Sequence, residues 1–308
     1  MWRRLLPWGV VLLLGVILVV RTDLKSIAAS MRSIHWVAYV AFVLTFSIVN
    51  LLFDAIATWK TYQQLTSLVD FRSIFMVRAA SYLSGIINYH AGQAYLTYLL
   101  SKKYAIPIGR VIGGTLVVYA TTLGNFILLA ALSLPFAAQQ ASWVPRVVAF
   151  LALGVLVYFG LLQSKPKFLT RFAIFAPLFE VGVLGHLRLM LWRLPHIAVL
   201  SVSLWLAYWF FGVVIPPQAS LSDLPIILLV SALPITPQGA GTRELIAIEL
   251  LSSFVPASAA GDRTAPIIAA GAAFVVVATL GQALIGCAYL RPVGRLLRPM
   301  TFNPTAES

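Results

Sequence analysis

The sequence predicts an all-α integral membrane protein with six full transmembrane helices and two further broken, re-entrant helical hairpins, about eight membrane segments arranged as an inverted-topology repeat. Composition is the first reason. Of 308 residues, 60% are hydrophobic and 10% charged, whereas a soluble domain carries roughly 25% charged side chains and could not hide so much apolar surface from water. The second reason is five stretches without an ionised side chain, residues 36–53, 111–134, 147–163, 197–215 and 265–290. At about 1.5 Å per residue, each covers most or all of a hydrocarbon core of roughly 30 Å. The third is a pair of interrupted apolar segments whose placement divides the chain into two similar halves.

In chain order, residues 5–20 form a sixth, slightly short span behind Arg3 and Arg4. The alternative is the apolar region of a cleaved signal peptide, with Ala28, Ala29 and Ser30 imitating the small-residue cleavage site. After the 36–53 span comes 79–100, uncharged but crowded with polar and small residues, among them Ser81, Ser84, Gly85, Asn88, His90, Gly92 and Gln93. The 111–134, 147–163 and 197–215 spans follow. The second interrupted segment has apolar arms at 224–235 and 245–255, each too short to cross, around the run PITPQGAGTRE at 234–244. Pro237 removes a backbone donor, and Gly239 and Gly241 permit conformations other residues resist, so the run predicts a hairpin rather than a through-going helix. The 265–290 span closes a single membrane domain, 1–290, with halves of about 1–140 and 141–290, and 291–308 reads as a basic cytoplasmic tail. Cys287, the one cysteine, lies in that last span, where packing is its expected role.

Each half reads span, span, broken segment, span. With three full crossings per half, the second half starts on the opposite side of the membrane from the first, a plan recurrent in transporters, where half-helix ends near the midplane leave backbone groups free for a ligand. The correspondence rests on the order of hydropathy alone. The alternative is that the glycines merely allow close helix packing.

The net charge of +13 does not imply nucleic acid, because the 22 basic residues are dealt out between apolar spans instead of forming one patch. They report topology. Both termini on the cytoplasmic face of the inner membrane put 16 Lys and Arg inside, including those of 60–110 and 165–193. Arg21, Lys25 and Arg32 dissent. The stretch 165–193 mixes Phe168, Phe172, Phe175 and Phe179 with cations up to Arg193, as an interfacial segment anchored among anionic headgroups would.

Among candidate binding residues, Arg243 at a helix start suits a phosphate, or else pairs with a neighbouring carboxylate. Glu244 is favoured there by the helix dipole, as a cap or as a functional group. Glu249 sits inside an apolar arm with Ser252 and Ser253 on its face, a polar stripe directed at a cavity or a neighbouring helix. Asp54 is interfacial or buried. Asn88, His90 and Gln93 cluster at the first break, with His90 a structural hydrogen-bonding group or a proton relay. Thr236, Pro237, Gln238, Gly239 and Gly241 form the second break and complete the candidate site. The four histidines, at 35, 90, 186 and 196, show no metal-ligand spacing, and no phosphate-binding glycine loop or nucleophile constellation appears. Neither a cofactor, a metal nor enzymatic activity is expected.

The run PITPQGAGTRE resembles a signature of the transmembrane region of lysylphosphatidylglycerol synthases and their stand-alone flippase-like relatives. The earlier Ile87-Asn-Tyr-His-Ala-Gly-Gln93, with Tyr98, Lys102 and Lys103 after it, resembles a second. The chain departs from that pattern where Tyr89 stands for a common proline, Gln93 for a common glutamate and Gln238 for a common glycine. The resemblance implies the fold over nearly the whole chain to about Leu290. It also implies translocation of an aminoacylated or isoprenoid-linked lipid, without the soluble aminoacyl-transfer domain for which 291–308 leaves no room. A lipid flippase or flippase-like carrier is the expected function. The alternative is a non-transporting accessory protein that binds an anionic or isoprenoid-linked membrane lipid and presents it to a partner lipid-modifying enzyme.

Overall fold

The computed structural model describes residues 23–87, 89–136, 142–232, 241–256 and 262–296. Among these, all regular structure is helical: α1 (Leu24–Arg32), α2 (Trp36–Gln63), α3 (Phe71–Ile87), α4 (Tyr89–Tyr104), α5 (Ile108–Ser133), α6 (Val144–Ser164), α7 (Lys167–Thr170), α8 (Ala176–Phe210), α9 (Pro217–Ala232), α10 (Thr242–Leu251) and α11 (Ala265–Leu296). Five of them, α2, α5, α6, α8 and α11, are long and apolar enough to cross a membrane. They coincide with the five charge-free stretches, and the chain is a multi-pass membrane protein. The sixth expected span, 5–20, lies outside the described residues.

Each interrupted segment folds back on itself. In the first, Gly92 of α4 sits so close to α3 that an added Cβ would stand 3.0 Å from both Gly85 Cα and Ser81 O. A continuous helix would hold residues 85 and 92 about 10 Å apart, so the chain reverses between them. Only glycine permits that approach. The base of this hairpin, hairpin 1, is fastened where α3 begins and α4 ends: Tyr104 Oη donates to Asp70 Oδ2 at 2.8 Å, and Lys103 Nζ lies 3.5 Å from the same oxygen. In hairpin 2, α9 packs against α10, and the Val214 N–H donates to the Phe254 carbonyl at 3.2 Å, joining the entry to the exit. The arm α9 begins at Pro217, where a missing N–H costs a helix nothing. It therefore starts well before the expected 224.

Following the chain fixes the orientation of the two. Helix α2 delivers the chain to the base of hairpin 1, α5 returns it, α6 crosses again, and α8 delivers it to the base of hairpin 2 at the other end. Two cores result. One packs Tyr39 of α2, Leu204 and Tyr208 of α8, Ile227 of α9, Leu251 of α10 and Ile267 of α11 around hairpin 2. The other packs Tyr62 of α2, Ile74 and Val77 of α3, Leu96 of α4, Val111 of α5 and Val293 of α11 around hairpin 1. Helix α11 touches both.

Residues 176–193 open α8, in which two helical stretches meet at a kink at Gly182, whose φ of 61° favours glycine. Two expectations are corrected. Arg193, counted among cytoplasmic cations, is 1% exposed, and Arg78, from the 60–110 region, is 6% exposed. Cys287 is not packed in the core but faces outward on α11.

Candidate functional site

The strongest local chemistry is a buried ionic cluster on three helices. Asp54 of α2 is 2% exposed and takes both its neighbours from elsewhere: Arg78 Nε of α3 at 2.5 Å and Arg193 Nη1 of α8 at 3.3 Å. Thr58, one turn along α2, donates to Asp54 Oδ1 at 3.4 Å, and one turn the other way Asn50 Nδ2 donates to Tyr82 Oη of α3 at 3.4 Å. The Arg78 guanidinium stands 5.7 Å from the Tyr82 ring. His196, three residues beyond Arg193, is buried and interacts electrostatically with Asp54 and both arginines. Asp54 is thus buried, not interfacial. An isolated charge at this depth costs at least a few kcal/mol, so the three ions hold one another in place.

Beside the cluster, a chain of hydroxyls runs from α2 through α5 to α4 of hairpin 1. Tyr62 Oη meets Thr115 Oγ1 at 2.9 Å, Thr115 meets Thr97 Oγ1 at 2.8 Å, and Thr97 donates to the Gln93 carbonyl at 2.8 Å. The Gln93 side chain is buried, and His90, half-buried, places Nδ1 2.8 Å from Tyr119 Oη of α5. Asn88 lies outside the described residues.

Hairpin 2 keeps its charge at the start of α10. The Gly241 N–H donates to Glu244 Oε2 at 2.8 Å, so the carboxylate caps its own helix. Arg243 donates to Glu244 and, at 3.2 Å, to the Gly271 carbonyl of α11. Both side chains are buried. Glu249 and Ser253 are exposed and Ser252 half-buried, so that stripe faces away from the packed body. Thr236, Pro237, Gln238 and Gly239 lie outside the described residues. Along the outer side of hairpin 2 runs an apolar crevice of about 360 Å³ between α5, α8 and α9, lined by residues such as Leu129, Val202, Trp205 and Leu221.

The structure therefore gathers Asp54, His90 and Gln93 around hairpin 1, and Arg243 and Glu244 around hairpin 2. Each group meets α11 at its own glycine: Leu83 of hairpin 1 packs on Gly286, Arg243 and Glu244 on Gly271. Fifteen residues, about 22 Å of helix, separate the two contacts.

Sequence reasoning missed Arg78, Arg193 and His196. The available signal was Asn50, Asp54 and Thr58 at four-residue spacing, which puts three polar groups on one face of an apolar helix and demands a polar partner opposite. A second missed signal is Trp-x-x-Tyr, at Trp59 and Tyr62 near the end of α2 and again at Trp205 and Tyr208 near the end of α8. In each case the indole donates to the carbonyl ten residues on, Trp59 Nε1 to Val69 at 3.0 Å and Trp205 Nε1 to Ile215 at 2.9 Å. Each clamp fixes the loop that enters a hairpin. No curated protein matches the chain. Residues 6–281 match the family model described as the lysylphosphatidylglycerol synthase TM region, and with most of its length covered the chain belongs to that family.

Proposed function

We propose that the chain is a lipid flippase or flippase-like carrier of the bacterial inner membrane, with both termini cytoplasmic, acting without catalysis of its own. Its halves are read as an inverted repeat enclosing a polar path through which a headgroup passes while its acyl chains remain in the bilayer. The observation that carries this reading is the pair of helical hairpins, each with its own core, based at opposite ends of the bundle. Backbone that turns back inside a membrane is tolerated where protein or a wet cavity surrounds it, and such breaks in paired positions mark transporter binding sites. The Trp-x-x-Tyr clamp at the entrance to each hairpin supports the repeat, because the same bond at the same ten-residue spacing serves the same junction in both halves. The apolar crevice beside hairpin 2 supports the lipid reading, since a groove within membrane-crossing helices is wetted by acyl chains. The partners are anionic or isoprenoid-linked membrane lipids.

Purified protein reconstituted in vesicles is expected to speed exchange of a fluorescent phospholipid between leaflets over protein-free vesicles. Exchange at the protein-free rate for phosphatidylglycerol, its lysyl ester and an isoprenoid phosphate alike would sink the transport reading. Co-purification with a lipid-modifying enzyme in that event would favour the accessory alternative.

A further inference from the structure

The apolar crevice beside hairpin 2 is long and narrow. Its wall on α8 runs through Leu194, Ala198, Ser201 and Trp205, one face of the helix over about 16 Å. Helix α5 and, with Leu221 and Pro225, α9 complete it. Its volume of about 360 Å³ lies at the low end of ligand pockets, roughly 300–1,000 Å³. Spread over that length, the space has the shape of a chain and not of a compact solute. Because α5 and α8 are long and apolar enough to cross a membrane, hydrocarbon is the solvent on this face.

The polar groups in this wall lie toward one end, at the base of hairpin 2. Trp205, its indole already donating to the Ile215 carbonyl at 2.9 Å, and Pro217, the first residue of α9, mark the mouth. One turn inward from Trp205 lies Ser201, and one turn inward from Pro217 lies Leu221. The Ser201 hydroxyl is buried and makes no hydrogen bond among the described residues, whereas Ser47, Ser203 and Ser231 each donate to a carbonyl three or four residues back in their own helices. On the α9 wall, Pro225 has no N–H to offer the Leu221 carbonyl, which therefore lacks its helical donor four residues on. A hydroxyl left unsatisfied in apolar surroundings is costly until an acceptor arrives, and a serine side chain turns between staggered rotamers about one bond to meet it.

We infer that the crevice seats one acyl chain of a glycerophospholipid from the leaflet at the base of hairpin 2, with the Ser201 hydroxyl donating to the ester carbonyl at the head of that chain. The chain lies along α8 toward Leu194. Its glycerol end stays at the mouth, where the Leu221 carbonyl accepts a hydrogen bond from water or from a headgroup hydroxyl. An ester-linked chain is the occupant these groups select. Its hydrocarbon matches the apolar wall, and its carbonyl is an acceptor that a helix of a second copy, with its backbone bonds closed, does not bring. The inference rests on the lipid reading and asks nothing of transport.

The test uses the full chain in detergent, with retained lipid counted by native mass spectrometry. The probes are phosphatidylglycerol with ester-linked chains and the same lipid with ether-linked chains, which keeps headgroup and hydrocarbon and lacks both carbonyls. Wild type is expected to retain the ester about fivefold better, the weight of one hydrogen bond. Ser201→Ala should bring the two lipids level by weakening the ester alone. Ala198→Phe, at an exposed position of the wall, should fill the crevice and cut retention of both by a clear margin. Val202→Phe, also exposed on that wall, serves in its place if that variant does not fold. Equal retention of ester and ether by wild type, or an ester preference that survives Ser201→Ala, would overturn the inference. So would a change from dimer to monomer mass in Ala198→Phe with lipid retention untouched, the result expected if a second copy covers this face. Leaflet exchange measured on the same samples separates the two readings: an ester preference without exchange keeps the seat and removes the flippase, while exchange without an ester preference does the reverse.

Discussion

The two hairpins differ in where they place their charge. Hairpin 1 carries Arg78 in the middle of its first arm and takes counter-charge from another helix, at Asp54 of α2, which also pairs with Arg193 of α8. Hairpin 2 carries Arg243 and Glu244 side by side at the start of its second arm, where they satisfy each other and the helix end. Their bases differ in the same sense. Side chains of Asp70, Lys103 and Tyr104 tie hairpin 1, whereas a backbone bond from Val214 to Phe254 ties hairpin 2. A charge whose partners lie on distant elements makes the packing of the whole bundle conditional on it. A charge paired with its sequence neighbour leaves the rest of the fold indifferent.

That contrast sets the order of expected effects. Asp54→Ala leaves two guanidiniums buried without their carboxylate and should cost about 3–5 kcal/mol, read as a lowered midpoint in chemical unfolding. A loss below 1 kcal/mol would show that the cluster is not dry. Gly92→Ala should cost about 1–3 kcal/mol, because its Cβ would meet backbone atoms of Gly85 and Ser81 that cannot step aside. The counterpart facing hairpin 2, Gly271→Ala in α11, puts a Cβ 3.2 Å from Glu244 Oε1 and 3.4 Å from Arg243 Nη2, the ends of flexible side chains. It should cost less than about 1 kcal/mol on the same overpacking scale, and equal losses at the two glycines would erase the distinction. Arg243→Ala removes the pair with Glu244 and the bond to Gly271 while Glu244 keeps its cap on Gly241, so expression should stay near wild type, with stability down by about 1–3 kcal/mol. Lipid retention or leaflet exchange should fall, by an assay run beside the unfolding curve. Collapse of expression would make Arg243 a structural residue.

The spans were legible because lipid imposes a simple rule: a helix in hydrocarbon excludes charge over its length, and the five charge-free runs became α2, α5, α6, α8 and α11. The segment at 79–100 stood apart from the spans by its density of Gly, Ser and Asn, and the second by Pro237 and its glycines, most of which lie outside the described residues. Arg193 was not legible. In sequence it closes a stretch of cations and phenylalanines that reads as an interface, and only the helical stretch that starts after Gly182 and runs on through Pro195 carries it to Asp54. Periodicity says which face of a helix is polar; it does not say how far a helix extends past its apolar stretch, and that length decided where the arginine sits. Glu249 shows the converse, since a carboxylate within an apolar run was read as turned toward a cavity or a neighbouring helix and is exposed.

The smallest expected effect separates the two bases by pH. Burial raises the Asp70 carboxyl, but the Ser73 hydroxyl and N–H, the Tyr104 hydroxyl and the Lys103 charge together outweigh it and hold the group at about 2, below its ordinary value of 3.8. A carboxyl held below its unfolded value stabilises the fold above that value and loses the contribution as pH falls toward 2. Because the Asp70 side chain is 54% exposed, solvent screening limits the gain to about 0.5 kcal/mol or less. The base of hairpin 1 should therefore loosen between about pH 4 and 2, while the backbone bond closing hairpin 2 has no group that titrates there. Hydrogen exchange, corrected for intrinsic rates, should show the Ser73 amide losing protection over that window and the Val214 amide keeping its own. Asp70→Asn should abolish the pH dependence at Ser73 without changing Val214. Parallel loss at both amides would mean that acid acts on the bundle as a whole, with Asp70 no more than one surface carboxylate among several.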